Sequence, residues 1–162
     1  MRWMSIAAAA LVVACTGFPW GGFDLPVGTP RDAVIARAGP PGGVVPLAGG
    51  AQRLQYSMQP AGQQAWMVDV DASGRVVRSY QALTFDNFNR IQPGWTQADV
   101  EREFGPPARI EGVASWPGPI WTYRWRDIAN ADMFYFVYFD ERGIVGRAHQ
   151  GMELRNFRVP FR

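Results

Sequence analysis

Two stretches of this chain repeat one pattern at a fixed distance, and this repeat constrains the fold more than any other feature. Aligned without gaps, residues 27–41 and 93–107 match Gly28 with Gly94 and Val34 with Val100, each pair 66 positions apart. A Gly-Pro-Pro triplet ends both stretches at the same offset. A constant offset across a whole predicted helix indicates an internal repeat. The sequence therefore predicts two tandem copies of one supersecondary unit.

The second copy contains a short helix with signals at both ends. Thr96 and Asp99 have the spacing of a capping box, which predicts the start of the helix. Val100 and Phe104 stand four residues apart, so they share one face that can pack on a core. Gly105 precedes two prolines that cannot continue a helix. We therefore expect the helix to end at Gly105 with a positive φ.

The first copy is predicted to be degenerate. Thr29 and Asp32 have the same capping pattern, displaced by one residue, with Pro30 at the first helical position. Before the second copy, Thr84 is predicted to cap an additional short helix. The first copy has no clear counterpart of that helix.

Strand patterns follow each predicted helix. In the second copy, Trp121, Tyr123 and Trp125 alternate with Thr122 and two arginines, which predicts a strand with one aromatic face. One interpretation is that the three rings face the helices as core and the arginines lie on an open face. The other is that the rings themselves anchor a binding partner. Residues 133–139 are apolar on both faces, which predicts a central strand that is covered on both sides.

The N-terminal segment predicts export. Residues 6–14 form an apolar run that is too short to span a bilayer, and they are followed by Cys15, the only cysteine in the chain. The segment resembles a bacterial lipoprotein signal. That resemblance implies removal of residues 1–14, attachment of diacylglycerol to the Cys15 sulfur, and acylation of the new amine, with palmitate among the acyl groups. Thr16 at the next position implies the outer membrane. The alternative is an ordinary secretory signal that happens to contain a cysteine.

Residues 15–26 are rich in glycine and proline and are predicted to be a tether. Phe18, Trp20 and Phe23 within it either pack back on the domain or lie at the lipid surface.

Composition and motifs argue against nucleic-acid binding and against catalysis. The formal net charge is only +2, all 16 basic residues are arginine, and there is no basic run. The single histidine, His149, is predicted to be a half-exposed strand residue, since one histidine without cysteine partners cannot hold a metal. No nucleophile or phosphate-binding motif is present. We therefore predict a protein that is not an enzyme and has no cofactor and no metal site.

The second copy resembles the outer-membrane lipoprotein family BamE, also called SmpA/OmlA. The matching positions in the helix segment and in the aromatic strand are Ile91, Gly94, Thr96, Val100, Gly105, Pro106, Trp121, Tyr123, Trp125 and Arg126; Phe139, Gly143 and Val145 match the closing hairpin. Trp95 replaces the family's usual methionine, and 80–83 replaces its Gln-Gly-Asn segment. The tandem layout is also similar to that of the β-lactamase inhibitor protein.

These resemblances imply an α+β fold made of two tandem repeats. In each repeat the helices pack on one face of a three-stranded antiparallel sheet, and the two copies share one sheet or interface. The predicted division is a signal peptide at 1–14, a tether at 15–26, a degenerate BamE-like repeat at 27–83, a second BamE-like repeat at 84–152, and a C-terminal edge segment at 153–162.

The implied function is that of a lipid-anchored protein on the periplasmic face of the outer membrane. Such a protein would support outer-membrane protein assembly or envelope integrity by binding envelope proteins, barrel-assembly components among them. The alternative is a periplasmic inhibitor or binding module that captures an enzyme on a concave sheet. The candidate partner-binding residues are Trp121, Tyr123, Arg124, Trp125 and Arg126.

Overall fold

The computed structural model describes Phe23 and residues 25–153, which form two four-stranded antiparallel sheets and three helices. The first half contains α1 (Arg31–Ala38), β1 (Gly43–Pro46), β2 (Gln52–Ser57), β3 (Ala65–Val70) and β4 (Val76–Gln81). The second half contains α2 (Phe85–Phe88), α3 (Gln97–Phe104), β5 (Arg109–Val113), β6 (Trp116–Arg126), β7 (Asp132–Phe139) and β8 (Val145–Met152). No helix in this described part is long and apolar enough to cross a membrane.

The predicted fold of two helix-plus-three-strand repeats is wrong. Each sheet has a fourth strand, because β1 pairs with β2 and β5 pairs with β6 at the start of each sheet. These are short edge strands, and every residue of β5 is exposed. Neither strand has a buried residue, so each is held by backbone hydrogen bonds and extends its sheet without adding to the core. The two halves also share no sheet, because no strand of one sheet pairs with a strand of the other.

The local signals around α3 are confirmed. The Thr96 hydroxyl accepts from the Asp99 backbone N–H at 3.1 Å, and the Asp99 carboxylate accepts from the Thr96 backbone N–H at 2.9 Å. Val100 and Phe104 are both buried, and Gly105 ends the helix with φ 74° and ψ −171°. Thr84 caps α2, as expected.

The cap predicted for α1 is wrong. Pro30 is the N-cap residue, and no side chain caps this helix. The Thr29 hydroxyl instead donates to the Pro26 carbonyl at 2.6 Å, across the preceding turn. A proline at this position has no N–H to be satisfied, so α1 starts without a capping box.

Matched positions of the two halves have matched geometry. Gly39 ends α1 with φ 80° and ψ −177°, close to the values at Gly105. The Tyr56 hydroxyl of β2 donates to the Gly39 carbonyl at 3.1 Å, and the Tyr123 hydroxyl of β6 donates to the Gly105 carbonyl at 2.9 Å. In both halves, therefore, a tyrosine on the second strand holds the end of the helix against its sheet.

The prediction that the helices pack on one face of the sheet is wrong. On one face of the first sheet, Val34 of α1 packs with Leu54 and Val68. On the opposite face, Met67 of β3 belongs to the same core cluster as Val100 and Phe104 of α3. The order of layers is thus α1, first sheet, α2 with α3, second sheet. The predicted one-face arrangement fails because β3 is buried on both of its faces.

A buried ionic cluster joins the first sheet to α3. Arg53 of β2 forms a two-pronged pair with Asp69 of β3 (2.7 and 3.0 Å) and also donates to the Arg102 carbonyl at the end of α3 (3.0 Å). Glu103 lies 3.2 Å from the same guanidinium. Burial alone would raise the pKa of Asp69, but hydrogen bonds from Arg53 and Arg78 lower it. Because arginine stays charged when it is buried, Arg53 does not lose its proton, and its contact with α3 does not depend on a titrating cation.

Candidate protein-binding face

The outer face of the second sheet carries a row of aromatic side chains. Along β7, residues alternate between a buried set that faces α2 and α3 and a half-buried set on the other side. The half-buried set is Phe134, Phe136 and Tyr138. Neighbouring strands add Trp116, His149, Arg109 and Arg147. We call these seven residues the aromatic face. No helix of the described residues packs on it, since α1 lies against the first sheet and α2 with α3 lie on the opposite side.

Ring contacts order this face across three strands. Trp116 meets Tyr138 edge-on at a centroid distance of 5.4 Å, and Tyr138 stacks with His149 at 5.3 Å. His149 also contacts Phe136 at 5.2 Å, and Phe136 contacts Phe134 at 5.8 Å. The Trp116 indole N–H donates to the Phe139 carbonyl at 2.6 Å, which fixes the ring at the start of β6 against the end of β7. The rings are therefore held in place before any partner binds.

Two arginines lie over the rings. The Arg147 guanidinium is 4.1 Å from the centroid of Tyr138 and 5.0 Å from that of Trp116, and it forms no ion pair with any described residue. Arg109 lies 5.6 Å from the Phe134 centroid and pairs with Glu111 at 2.9 Å. The latter pair is exposed at the surface and so contributes little to stability. Arg147 is thus a positive charge that the rings position but that no carboxylate of the described chain neutralises.

Of the residues predicted to bind a partner, three are core. Trp121, Tyr123 and Trp125 are 6%, 0% and 2% exposed, and they face α2 and α3. Burial raises the pKa of the Tyr123 hydroxyl. A docking protein would reach less than a tenth of each residue in this structure. The interpretation of these rings as core is confirmed, and the row on the next strand is the one that reaches the surface.

Arg124 lies on the outer side of the sheet, but it is occupied within the protein. Its guanidinium contacts both oxygens of Glu153 at 3.1 Å and donates to the carbonyls of Pro60 and Ala61 at 2.8 and 2.7 Å. The hydrogen bond with Glu153 raises the pKa of Arg124. Gln59 completes the contact. Its side-chain N–H donates to the Arg124 carbonyl and its side-chain oxygen accepts from the Arg124 backbone N–H, at a position of β6 that β5 does not reach. Arg124 therefore joins the 58–64 loop of the first half to the second sheet.

The remaining predicted positions are distributed as follows. Arg126 is exposed and pairs with Asp132 at 3.1 Å. His149 lies exposed in β8, as expected, with Nε2 3.1 Å from the Tyr138 hydroxyl. Phe23 of the tether packs on the domain, 4.9 Å from the Tyr56 ring. Cys15, Phe18 and Trp20, and the edge segment beyond Glu153, lie outside the described residues.

Phe134, Phe136 and Tyr138 were missed because β7 reads as apolar on both faces, which predicts a strand covered on both sides. The sequence of the adjacent strand, β8, indicates instead that one face of β7 is not covered. Arg147 and His149 alternate in β8 and lie opposite Tyr138 and Phe136. Charged and polar residues on the partner strand indicate that this face of the sheet is not covered by another layer.

Within the described residues, no three histidine, cysteine or acidic side chains come together as metal ligands would. No protein-family model matches the chain, and no curated protein matches it.

Six chains of solved structures match it. One is a DUF4309 family protein, YjgB, from Bacillus subtilis, with 12% identity over 77% of this chain and 79% of the other. The second is an extracellular SCP-domain protein from Bacillus anthracis, with 16% identity over 78% of this chain. The third is a cysteine-rich secretory protein from Staphylococcus aureus, with 11% identity over 79% of this chain.

The chain spans only 44% of the second and third proteins. All three TM-scores are 0.30, which is too low to transfer a function or a location. None of the three is described as a BamE-family protein, so that resemblance stays a prediction.

Proposed function

We propose that this chain is a lipid-anchored, non-enzymatic envelope protein that binds another envelope protein through its aromatic face, in support of outer-membrane protein assembly. The observation that carries the proposal is the row of half-buried rings on a sheet face that no helix of the described residues covers, with an arginine over two of the rings that pairs with no described carboxylate. The lipoprotein-like Cys15 segment and the BamE-like pattern supply the expected setting.

The chemistry of this face suits a protein partner. Tyrosine, tryptophan and arginine are the residues that most often dominate the binding energy of protein interfaces. An arginine stacked on rings loses little conformational freedom when it binds, because the rings already restrict it. Partly buried aromatic rings also offer apolar area that a partner can remove from water. The free charge of Arg147 favours a partner whose docking surface is acidic.

Co-purification with matched variants tests the face. Full-length protein is recovered from detergent-solubilised membranes as the wild type, Phe136→Ala, Arg147→Ala and Arg37→Ala. Arg37→Ala removes one exposed positive charge from α1, on a different layer of the molecule, and is the control. We expect barrel-assembly proteins to be recovered with the wild type and with Arg37→Ala, and to be lost at least tenfold with the other two variants.

Two results of this co-purification would contradict the proposed function. If a single soluble enzyme co-purifies in the same Arg147-dependent way, the chain is a periplasmic inhibitor or binding module and not an assembly factor. If no protein is lost with Arg147→Ala that is kept with Arg37→Ala, the aromatic face is not the binding face.

The lipid anchor is tested separately. Metabolic labelling with radioactive palmitate is expected to label the wild type and to leave Cys15→Ser unlabelled. In the same experiment, the variant should move from the membrane to the soluble fraction, because multiple acyl chains are what make such an anchor stable. Labelling of Cys15→Ser equal to that of the wild type would rule out thioether lipidation at this position.

A further inference from the structure

A concave site distinct from the aromatic face lies on the other side of the second sheet. It is a groove of about 710 Å³ between α2, the turn after β6, and β8. We call it the α2 groove. Phe85 and Ile128 form its exposed apolar wall above the buried Trp125. Asp86, Asp127 and Arg126 are its charged residues, and Gln150 of β8 closes one end. Trp125 faces the helices, so the groove and the aromatic face are separated by the sheet itself.

The wall of the α2 groove exposes apolar surface that the fold does not cover. Phe85 is 45% exposed and stacks on Trp125 with a centroid distance of 6.3 Å and an interplanar angle of 20°. Ile128, at the tip of the turn between β6 and β7, is fully exposed. The indole N–H of Trp125 is buried and has no hydrogen-bond partner among the described residues. A pocket of this size with an apolar wall and a few polar groups is typical of binding sites.

The charge of the groove is negative. Asp86 makes no hydrogen bond or ion pair with the part of the chain that the structure describes. Asp127 uses one oxygen to accept the backbone N–H groups of Ala129 and Ala131, at 2.9 and 2.8 Å. Arg126 also lines the groove, but its guanidinium pairs with Asp132 at 3.1 Å. Asp86 and Asp127 therefore border the apolar wall without an ion pair to any described residue, and the lining cation Arg126 is balanced by Asp132.

From this combination, we propose that the α2 groove binds a segment of a protein partner that presents an aromatic or branched apolar side chain beside an arginine or lysine. The apolar side chain would pack between Phe85 and Ile128, and the cation would pair with Asp86 or Asp127. Charge-assisted pairs of this kind fix the orientation of a bound segment, while the apolar contact supplies most of the affinity. The two carboxylates without ion pairs favour a cationic ligand over a phosphate or a carboxylate at this site.

Fluorescence anisotropy of a labelled synthetic pentapeptide, Gly-Arg-Phe-Arg-Gly, tests the proposal on the full-length protein in detergent. Gly-Glu-Phe-Glu-Gly is the control peptide. We expect the arginine peptide to bind and the glutamate peptide to bind at least tenfold more weakly. The difference should shrink as salt is raised, because exposed charges are screened.

Variants locate the binding. Ile128→Ser and Asp86→Asn should each weaken the arginine peptide severalfold without changing the melting temperature, since both residues are exposed. Val77→Ser and Asp32→Asn make the same chemical changes at exposed positions of the first half and should bind like the wild type. Arg147→Ala should also bind normally, because it lies on the aromatic face.

Four outcomes overturn the proposal. They are no binding of the arginine peptide, equal binding of the glutamate peptide, unchanged binding by Ile128→Ser, and loss of binding by Arg147→Ala. The last of these would place the peptide on the aromatic face. Sedimentation velocity adds a fifth: a wild-type dimer that Ile128→Ser converts to a monomer would show that a second copy of the chain occupies the groove.

Discussion

Removing single hydroxyl groups from buried tyrosines gives the sharpest test of how the end of each helix is held against its sheet. Tyr123→Phe deletes the donor to the Gly105 carbonyl at 2.9 Å, at a fully buried site where no water can replace it. An ordinary hydrogen bond contributes about 1 kcal/mol net, but leaving a buried acceptor unsatisfied costs about 1–3 kcal/mol. We therefore expect Tyr123→Phe to lower the free energy of unfolding by about 2 kcal/mol.

The chain contains its own controls for this change. Tyr56→Phe deletes the matching bond to Gly39, which is longer at 3.1 Å and only partly buried, so water can reach the acceptor. We expect a loss of about 0.5–1 kcal/mol. The Tyr80 hydroxyl is buried and has no hydrogen-bond partner among the described residues. Tyr80→Phe removes a polar group that was buried without compensation, so stability should stay constant or rise.

Urea unfolding and thermal melts measure all three variants. For a cooperative unit of roughly 130 residues, a loss of 2 kcal/mol corresponds to a decrease in the melting temperature of about 7 °C. The order of stability should be Tyr80→Phe, then Tyr56→Phe, then Tyr123→Phe. If Tyr80→Phe is as destabilising as Tyr123→Phe, the hydrogen bonds described here do not determine the stability of these sites, and the reasoning is wrong.

Three further predictions concern backbone conformation, the contact between halves, and pH. Gly105→Ala should lower the free energy of unfolding by about 1–3 kcal/mol, because φ 74° with ψ −171° is a region that essentially only glycine occupies. Gly112→Ala is the control: no atom lies within 4 Å of its new methyl group, so the same urea titration should show almost no change. Arg124→Ala should lower the melting temperature by several degrees through loss of its contacts with Glu153 and the 58–64 loop, while the more exposed Arg126→Ala should change it little. Burial raises the pKa of Tyr123 above the ordinary value of 10.0, so ionising this tyrosine is harder in the folded state than in the unfolded state. The folded state therefore keeps its full stability below pH 10 and loses stability as the pH rises through the higher folded-state pKa. Urea midpoints that stay constant above pH 10 would contradict this prediction.

The local signals in the sequence were sufficient to predict the helix ends. The capping box of Thr96 and the positive φ of Gly105 depend on residues within a few positions of each other, so the sequence contains the whole cause. For Trp121, Tyr123 and Trp125 the alternation with polar residues predicted a one-sided strand but left core and binding face open, and only their packing against α2 and α3 decides for core. The failed cap at Thr29 shows the limit, because the neighbouring proline changed which groups needed a partner.

The arrangement of layers depends on contacts between distant residues. Arg53 and Gln55 alternate with Leu54 and Tyr56, a pattern that predicts a polar face in water. In the structure, both polar residues are buried, because the backbone carbonyls at the end of α3 accept their hydrogen bonds. No signal within β2 specifies a partner that lies almost fifty positions further along the chain. The aromatic face was missed for a related reason, since only the pairing of β7 with β8 brings the polar residues of β8 beside its rings.

The position of α3 between the two sheets makes the halves unequal in the order in which they can fold. During synthesis from the N-terminus, β2, β3 and β4 are complete before Phe104 has been added to the chain. Until then, Met67 has no helix to cover it, and Arg53 cannot reach the carbonyl of Arg102. The second half, by contrast, carries its own helices and covers its own sheet. A nascent chain that stops before α3 therefore exposes an apolar and charged sheet face, whereas the half made last can complete its core as soon as it emerges.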